Sequence, residues 1–248
     1  MTLFRRRLLL LTYAAVLHGG ALYAQGTTQL STTGTVILPY DRKWTFVGEI
    51  APSRVVDGTP EWQELSFNLG AERNVLRGLD LLGYGYVYFT NQVEDLNTTE
   101  LRIRLGAQPF WRPMPRLFLQ GRAAFENRWI HYQTQGWDYT ARVRFRALGR
   151  FTVRRSNEFQ PGAIFLRADI EGYAPLGDKA TERYFDKVGV RTGAGYRFGR
   201  RDLGELYLVR RASEMTFLPE RDNSDWIIEF KYAHILARPT PARPSSSP

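Results

Sequence analysis

Strict alternation between arginine and apolar residues from position 141 to 154 is the feature that most constrains this chain. The odd positions carry apolar or small side chains, and most even positions carry arginine. A helix would spread these arginines around its circumference and leave no apolar stripe to bury. A period of two over this length predicts a β-strand that is longer than most strands of soluble proteins.

Five further segments repeat the alternation, so each predicted strand has one apolar and one charged face. They begin near Leu101, Leu117, Ile164, Val188 and Trp226. Segments 44–52, 62–73 and 79–91 are compatible but less regular. In the last of them, Tyr84, Tyr86 and Tyr88 could face either side.

No apolar run long enough for a transmembrane helix follows the N-terminal segment, so a membrane-spanning chain of this sequence would have to cross with strands. An arginine facing lipid near the bilayer centre would cost about 2 to 4 kcal/mol. The charged faces must therefore turn inward. The sequence predicts an all-β fold: an antiparallel transmembrane β-barrel of about ten strands, with twelve as a competing count.

The N-terminus predicts a signal peptide over residues 1–24, because three arginines precede a short apolar run and then small residues. Residues 25–42 are interpreted as a periplasmic lead-in, with an extra strand as the alternative. The barrel is predicted over 43–236, and a disordered tail over 237–248, which is rich in Pro, Ser, Ala and Arg. The expected location is the bacterial outer membrane, with its lipid and its assembly machinery as partners.

Two sets of connections alternate along the chain. The set near 56–61, 94–98, 132–136, 177–183 and 214–223 is expected outside the cell. The set near 74–78, 111–116, 155–161 and 199–203 is expected on the periplasmic side.

Tryptophans near the predicted strand ends suit the two interfacial girdles of such a barrel. They are Trp44, Trp62, Trp111, Trp129, Trp137 and Trp226.

Twelve charged residues are predicted to face the barrel interior. They are Arg102, Arg104, Arg122, Glu126, Arg128, Arg142, Arg144, Arg146, Arg167, Asp169, Glu171 and Arg191. One interpretation is structural, because arginines and carboxylates on neighbouring strands can neutralise one another and fill a small lumen. The other is a polar path or an anionic-solute site. The bulk of the arginines favours the filled interior.

Other chemistries find little support. The chain has 0 Cys, which excludes disulfides and cysteine metal sites, and no histidine or carboxylate cluster has metal-ligand spacing. We expect no cofactor. Gly193-Ala194-Gly195 lies in a strand-like segment and not in a nucleotide-binding loop. The formal charge of +9 includes arginines of the signal peptide and tail, and no stacking aromatics accompany the others, so nucleic acid is not an expected partner.

An outer-membrane lipid- or peptide-modifying hydrolase is the enzymatic alternative, and it would have to be built around His131, without a Gly-x-Ser-x-Gly elbow to carry a nucleophile. A secreted soluble β-sandwich is the remaining alternative, with the arginines on its solvent side. The expectation is a non-enzymatic barrel that is structural or that binds or passes a small solute. The oligomeric state is open.

Several short motifs of the chain resemble a family of outer-membrane β-barrels known as the domain of unknown function 2490 family. The motifs are Trp44 with the alternating strand after it, Glu126-Asn127-Arg128-Trp129, the alternating Arg142, Arg144 and Arg146, Gly193-Ala194-Gly195-Tyr196-Arg197-Phe198, and Leu206-Tyr207-Leu208. The resemblance spans roughly residues 29–232. It implies a fold and a location, but no activity and no catalytic residues. The chain differs from the common outer-membrane pattern in the tail that follows Phe230 and Tyr232.

Overall fold

Eleven β-strands make up the fold in a computed structural model that describes residues 27–56, 62–92, 97–176, 185–214 and 222–237. The strands are β1 (Thr28–Pro39), β2 (Trp44–Val55), β3 (Trp62–Leu76), β4 (Leu79–Gln92), β5 (Thr98–Met114), β6 (Leu117–Tyr132), β7 (Gly136–Arg154), β8 (Ile164–Leu176), β9 (Phe185–Arg197), β10 (Asp202–Glu214) and β11 (Asp222–Ile235). No helix that could cross a membrane occurs among these residues. The predicted signal peptide and almost all of the predicted tail lie outside the described residues.

The strands close into a barrel in which each strand pairs with its neighbours in sequence, and β1 pairs with β11. All consecutive pairs are antiparallel, but β1 and β11 run parallel. The parallel seam follows from the odd number of strands, because the first and last strands of an odd antiparallel series point the same way. The all-β barrel is confirmed, and the count is eleven, where ten or twelve had been expected.

Strand β1 lies within residues 25–42, so the structure has the extra strand that was the alternative to a lead-in. Its pairing with β11 runs from Thr28 opposite Trp226 to Ile37 opposite Ile235, and β2 covers its other edge. The barrel therefore begins at Thr28 and not at position 43. The alternation of residues 29–38 indicates this strand, whereas the even strand number typical of bacterial barrels favours a lead-in.

The two ends of the barrel differ in their connections. The turn end carries the connections at 40–43, 77–78, 115–116, 155–163 and 198–201. At the loop end, residues 133–135 join β6 to β7, and the other predicted connections, at 57–61, 93–96, 177–184 and 215–221, lie outside the described residues. Because the strand number is odd, Thr28 lies at the loop end and Ile235 at the turn end.

Tight turns at the turn end are built by local chemistry. The Asp41 carboxylate accepts hydrogen bonds from the backbone N–H groups of Lys43 (2.7 Å) and Trp44 (2.6 Å), which closes the β1–β2 turn. Gly78 adopts a φ of 86° in the β3–β4 turn, and a Cβ there would lie 2.8 Å from the Phe110 carbonyl oxygen. These short connections hold adjacent strands in register.

The two faces of each strand are sharply different. Phe145 on the outer face of β7 is 54% exposed, whereas Glu126 on the inner face of the neighbouring β6 is 0% exposed. The outer face is apolar along the whole circumference: exposed side chains include Leu30, Phe67, Leu105, Phe145, Ile170, Leu206 and Phe230. The inner face is mostly polar, and this is the face on which chemistry is possible.

Glycine makes room for large inward side chains at two places. A Cβ on Gly195 would lie 2.1 Å from the ring of Phe165, and one on Gly70 would lie 2.0 Å from the ring of Tyr84. Both rings cross their neighbouring strand at the glycine. Gly195 belongs to a segment with the appearance of a nucleotide-binding motif, and the geometry assigns it this packing role.

Candidate functional site: a polarised barrel interior

All twelve predicted interior residues lie on the inner faces of five consecutive strands, β5 to β9. We call the inward residues of these strands the arginine wall. Nine of the twelve are arginines. The structure brings eleven of them into ion pairs with neighbouring carboxylates or cations, and Arg122 is the exception.

Glu126 is the centre of the arginine wall. Its carboxylate accepts hydrogen bonds from Arg104 Nε (2.6 Å) and Arg142 Nε (2.7 Å). Arg144 Nη1 lies at 3.3 Å and Arg102 Nη1 at 3.8 Å from the same group. Four guanidinium groups therefore surround one fully buried carboxylate, which explains how so many arginines can be held away from water.

A second carboxylate organises the wall toward the loop end. Glu100 binds Arg102 Nε at 2.6 Å and Arg128 Nη2 at 2.7 Å. Arg102 also lies over the ring of Tyr88, with 4.4 Å between the guanidinium carbon and the ring centroid. The ambiguous Tyr84, Tyr86 and Tyr88 thus face inward, where they form a ladder with centroid spacings of 6.0 and 5.9 Å.

Asp169 and Glu171 organise the part of the wall on β7 and β8. Arg146 binds Asp169 through two nitrogens at 3.0 and 3.1 Å, and Arg167 Nε donates to the same carboxylate at 3.1 Å. Arg144 donates to Glu171, which also accepts a hydrogen bond from the Tyr173 hydroxyl at 2.8 Å. Each carboxylate thus has more than one donor.

The network continues into β10 and β11, beyond the residues that the sequence singled out. Arg167 donates to the Tyr207 hydroxyl at 2.9 Å and lies 3.6 Å from Glu205. Glu229 lies 3.2 Å from Arg191 and 3.1 Å from Lys231. Alternation in β10, with Leu206 and Leu208 outward, was the signal that could have identified Glu205 and Tyr207.

Arg122 has a different environment. Its guanidinium donates to the side-chain oxygen of Gln108, at 2.9 Å from Nε, and no carboxylate of the described residues lies within ion-pair distance. It is half-buried and interacts electrostatically with Tyr84 and Glu72 across the interior. Arg122 is therefore a charged group of the wall that remains available to a further partner.

The connection between β7 and β8 folds into the turn end beneath the arginine wall. Glu158 in this connection is 1% exposed and binds Arg112 through both carboxylate oxygens at 2.6 and 3.1 Å. Its backbone carbonyl accepts a hydrogen bond from Arg197 Nε at 2.7 Å. Burial alone would raise the pKa of Glu158, but the hydrogen bonds from Arg112 outweigh it and hold the pKa below its usual value.

The opposite side of the interior is built from β1 to β4, and we call their inward residues the acidic wall. It carries Glu49, Glu64 and Glu72, together with the short polar side chains Gln29, Ser31, Thr33, Thr35, Ser53, Ser66 and Asn68. Arg54 and Arg73 are the only arginines or lysines on these four strands, and both lie on the outer face, where Arg73 covers Trp44. The two walls therefore carry opposite charge.

The walls also differ in how closely they are packed. The central inward residues of β5 and β6, including Arg104, Glu126 and Arg128, are buried. Every inward side chain of β2 and β3 is half-buried, so molecules the size of water reach them. The interior is most tightly packed at the centre of β5 and β6, and it stays accessible in front of β2 and β3; we call this accessible part of the interior the cleft.

Five of the six tryptophans lie on the outer face near one or the other end of the barrel, and Trp62 does not. Trp111 and Trp137 are exposed on the outer face, at the turn end and the loop end respectively. Trp62 instead shares the inner face of β3 with Glu64 and Ser66, and the expectation of a girdle position is wrong for this residue. Trp62 points inward because side chains alternate along β3 and the odd positions, including Leu65 and Phe67, lie on the outer face.

His131 lies on the outer face near the loop end. Its ring contacts Trp137 edge-on at a centroid distance of 5.1 Å, and its neighbours across the sheet are Thr99 and Trp137. No hydrogen bond joins it to a serine or aspartate within the described ranges. Nor do those ranges hold a group of three or more histidines and carboxylates arranged for a metal ion.

Comparisons with known proteins place the chain in a family without assigning an activity. A search of curated proteins and a search of solved structures each found no significant match. A family profile matches residues 28–212, which begin with the first residue of β1 and end within β10. The matched region holds the acidic wall and the whole arginine wall, which is most of the chain. The chain belongs to the family described as Protein of unknown function (DUF2490).

Proposed function

We propose that this protein is an exported, non-enzymatic β-barrel that spans the bacterial outer membrane. The observation that carries the proposal is the division of polarity in a single closed sheet, with apolar side chains outside and ion-paired charges inside. A soluble barrel or sandwich would bury its apolar face and give its charges to water. In this chain large apolar side chains are exposed on the outer face and most of the charged side chains lie inside, as lipid requires.

The dimensions and ends of the barrel support the same proposal. The strands have 12 to 19 residues, enough to cross a bilayer at the tilt of a barrel strand. Trp44 and Trp111 near the turn end and Trp129 and Trp137 near the loop end suit the two membrane interfaces. Closure of the sheet leaves no unpaired strand edge in contact with lipid.

The N-terminal segment supports export through a cleaved signal peptide. Cleavage after Ala24 would leave only residues 25–27 before β1. Four of the five connections at the turn end have two to four residues, which is typical of the periplasmic side of outer-membrane barrels. In this orientation the loop end and Thr28 face the outside of the cell, and Ile235 faces the periplasm.

A structural role, combined with binding or passage of a small solute, fits the interior better than catalysis. The buried carboxylates of the arginine wall are held in ion pairs with arginines, which makes them weak general bases. Membrane lipid and the outer-membrane assembly machinery are the partners that such a barrel requires.

Fractionation combined with heat-modifiable mobility tests the proposal. Expressed in a bacterium with an outer membrane, the protein is expected in the outer-membrane fraction, to start at Gln25, and to migrate faster in gels when unheated than when boiled. Recovery in the soluble periplasmic fraction, with the same mobility before and after heating, would refute the membrane assignment.

A further inference from the structure

We infer that the cleft in front of β2 and β3 takes a small zwitterionic solute, with its ammonium group toward Glu49 and Glu72 and its carboxylate toward Arg122. The inference deepens the proposed function by naming a solute class, and it rests on that function where passage through a membrane is concerned. Its basis is the separation of uncompensated charge across an accessible part of the interior.

The negative side of the cleft carries carboxylates without cationic partners. Glu49 accepts hydrogen bonds from the neutral donors Thr35 Oγ1 (3.1 Å) and Asn68 Nδ2 (2.7 Å). Glu72 accepts one from the Tyr84 hydroxyl at 2.6 Å. Among the described residues, no arginine or lysine lies within ion-pair distance of either carboxylate.

Asn68 adds a second, independent feature on this side. Its Oδ1 atom is buried and has no hydrogen-bond donor within the described ranges, while its Nδ2 is fixed by Glu49. An unsatisfied carbonyl oxygen next to an unpaired carboxylate favours a donor that carries positive charge. An ammonium group supplies three such donors and matches this pair.

The positive side of the cleft is Arg122. The neighbouring Arg104 and Arg144 are engaged by Glu126 and Glu171, whereas Arg122 has only the neutral Gln108 as an acceptor in the described part of the chain. It lies near enough to Arg144, Arg104, Tyr84 and Glu72 to interact with each of them electrostatically, and it is beyond ion-pair distance from Glu72. A guanidinium with free donors is suited to bind a carboxylate.

A zwitterion is favoured over either simple ion because the two walls act together. An anion drawn to Arg122 is repelled by Glu49 and Glu72, and a cation drawn to these carboxylates is repelled by Arg122. A molecule with both charges aligns with the field and satisfies both sides. At the turn end, β2 and β3 are joined to β1 and β4 by the tight turns at 40–43 and 77–78, while the loop at 155–163 packs beneath the arginine wall.

The test compares two isomers that differ in charge distribution. Purified full-length barrel is reconstituted in liposomes, and swelling rates are measured in isosmotic glycine and in glycolamide, its neutral isomer of the same size. We expect glycine to enter at least about threefold faster. The ratio is expected to fall toward one in Arg122→Gln and in the double variant Glu49→Gln with Glu72→Gln. Arg73→Gln, on the outer face, is the matched control and should keep the native ratio.

Insertion and fold are checked first by heat-modifiable mobility and by protease protection of the liposome-bound barrel. Three outcomes would each overturn the inference and leave the membrane proposal standing: equal rates for the two isomers, a rate ratio that the interior variants leave unchanged, or no swelling with an inserted barrel. If the barrel does not insert, the membrane proposal fails. The inference is then decided by glycine binding to the folded protein in detergent. Binding is measured by NMR at the Asn68 side-chain amide, with glycolamide as the comparison.

Discussion

The arginine wall and the acidic wall line the same lumen, yet they differ in packing and in how their charges are compensated. On β5 to β9, long cationic side chains fill the interior and require carboxylates such as Glu126 to be buried with them. On β2 and β3, short hydroxyl and amide side chains are half-buried together with Glu49 and Glu72, which have no cationic partner within ion-pair distance among the described residues. The difference teaches that one barrel can be packed on one side and accessible on the other.

The energetic consequence is that the two walls should respond differently to loss of a charge. A buried carboxylate that neutralises several arginines leaves unpaired cations behind when it is removed. A half-buried carboxylate with only neutral hydrogen-bond partners leaves nothing charged behind. The outer faces of the two walls are alike, so substitutions there should show no such difference.

The largest effect is expected from Glu126→Gln. The amide cannot neutralise the four arginines around it, so the unfolding free energy should fall by about 3 to 5 kcal/mol. Urea unfolding of the lipid-reconstituted barrel measures this loss. Glu49→Gln on the acidic wall is the matched control; similar losses for the two variants would remove the distinction between the walls.

A smaller and equal effect is expected from arginine on the outer face of either wall. Phe145→Arg behind the arginine wall and Phe67→Arg behind the acidic wall should each lose about 2 to 4 kcal/mol, because both side chains would enter hydrocarbon. Assembly into liposomes, followed by unfolding, measures both, with leucine at each position as the control. A cost at one position and none at the other would contradict a membrane belt around the whole barrel.

Glu158→Gln should release the loop that packs beneath the arginine wall, at a cost of about 1 to 3 kcal/mol from lost hydrogen bonds to Arg112. Because the pKa of Glu158 is lowered in the folded protein, its contribution is present above the ordinary glutamate pKa and is lost as pH falls through the folded value. Hydrogen exchange at the Gly162 amide, corrected for the intrinsic rate, should therefore rise on acidification in the native protein.

In Glu158→Gln, the same amide should exchange faster at neutral pH and lose the acid-dependent increase. The amide of Thr152, which bonds to the Arg116 carbonyl at 2.8 Å on a neighbouring strand pair, serves as the internal reference. Unchanged exchange at Gly162 in the variant would mean that the loop is held by its backbone contacts alone.

The smallest effect is expected from Glu49→Gln on stability. Glu49 has neutral partners and is half-buried, so the unfolding free energy should change by about 0.5 kcal/mol or less. The same variant, combined with Glu72→Gln, is expected to alter solute selectivity. Stability and selectivity are thus separated on the acidic wall, and a large loss of stability in Glu49→Gln would show that this carboxylate carries a hidden ion pair.

Much of the fold could be predicted from the sequence because the relevant signal is local. Alternation with a period of two fixed which residues share a face, and the twelve predicted interior residues all lie on the inner side of the barrel. Tyr84, Tyr86 and Tyr88 escaped this reasoning because glycines and apolar residues occupy the positions between them. Glu158 escaped it because it lies in a connection, where no periodicity exists.

The sequence by itself determined the β-strands, the two faces of each strand and the apolar belt, since these follow from backbone geometry and side-chain polarity along one segment. Only the tertiary structure decided the eleven-stranded closure with its parallel seam, the choice of carboxylate for each arginine, and the acidic wall with its unpaired Glu49 and Glu72. These features depend on register and closure between distant strands. The partner of a charged side chain lies on another strand, so the sequence pattern within one strand cannot identify it.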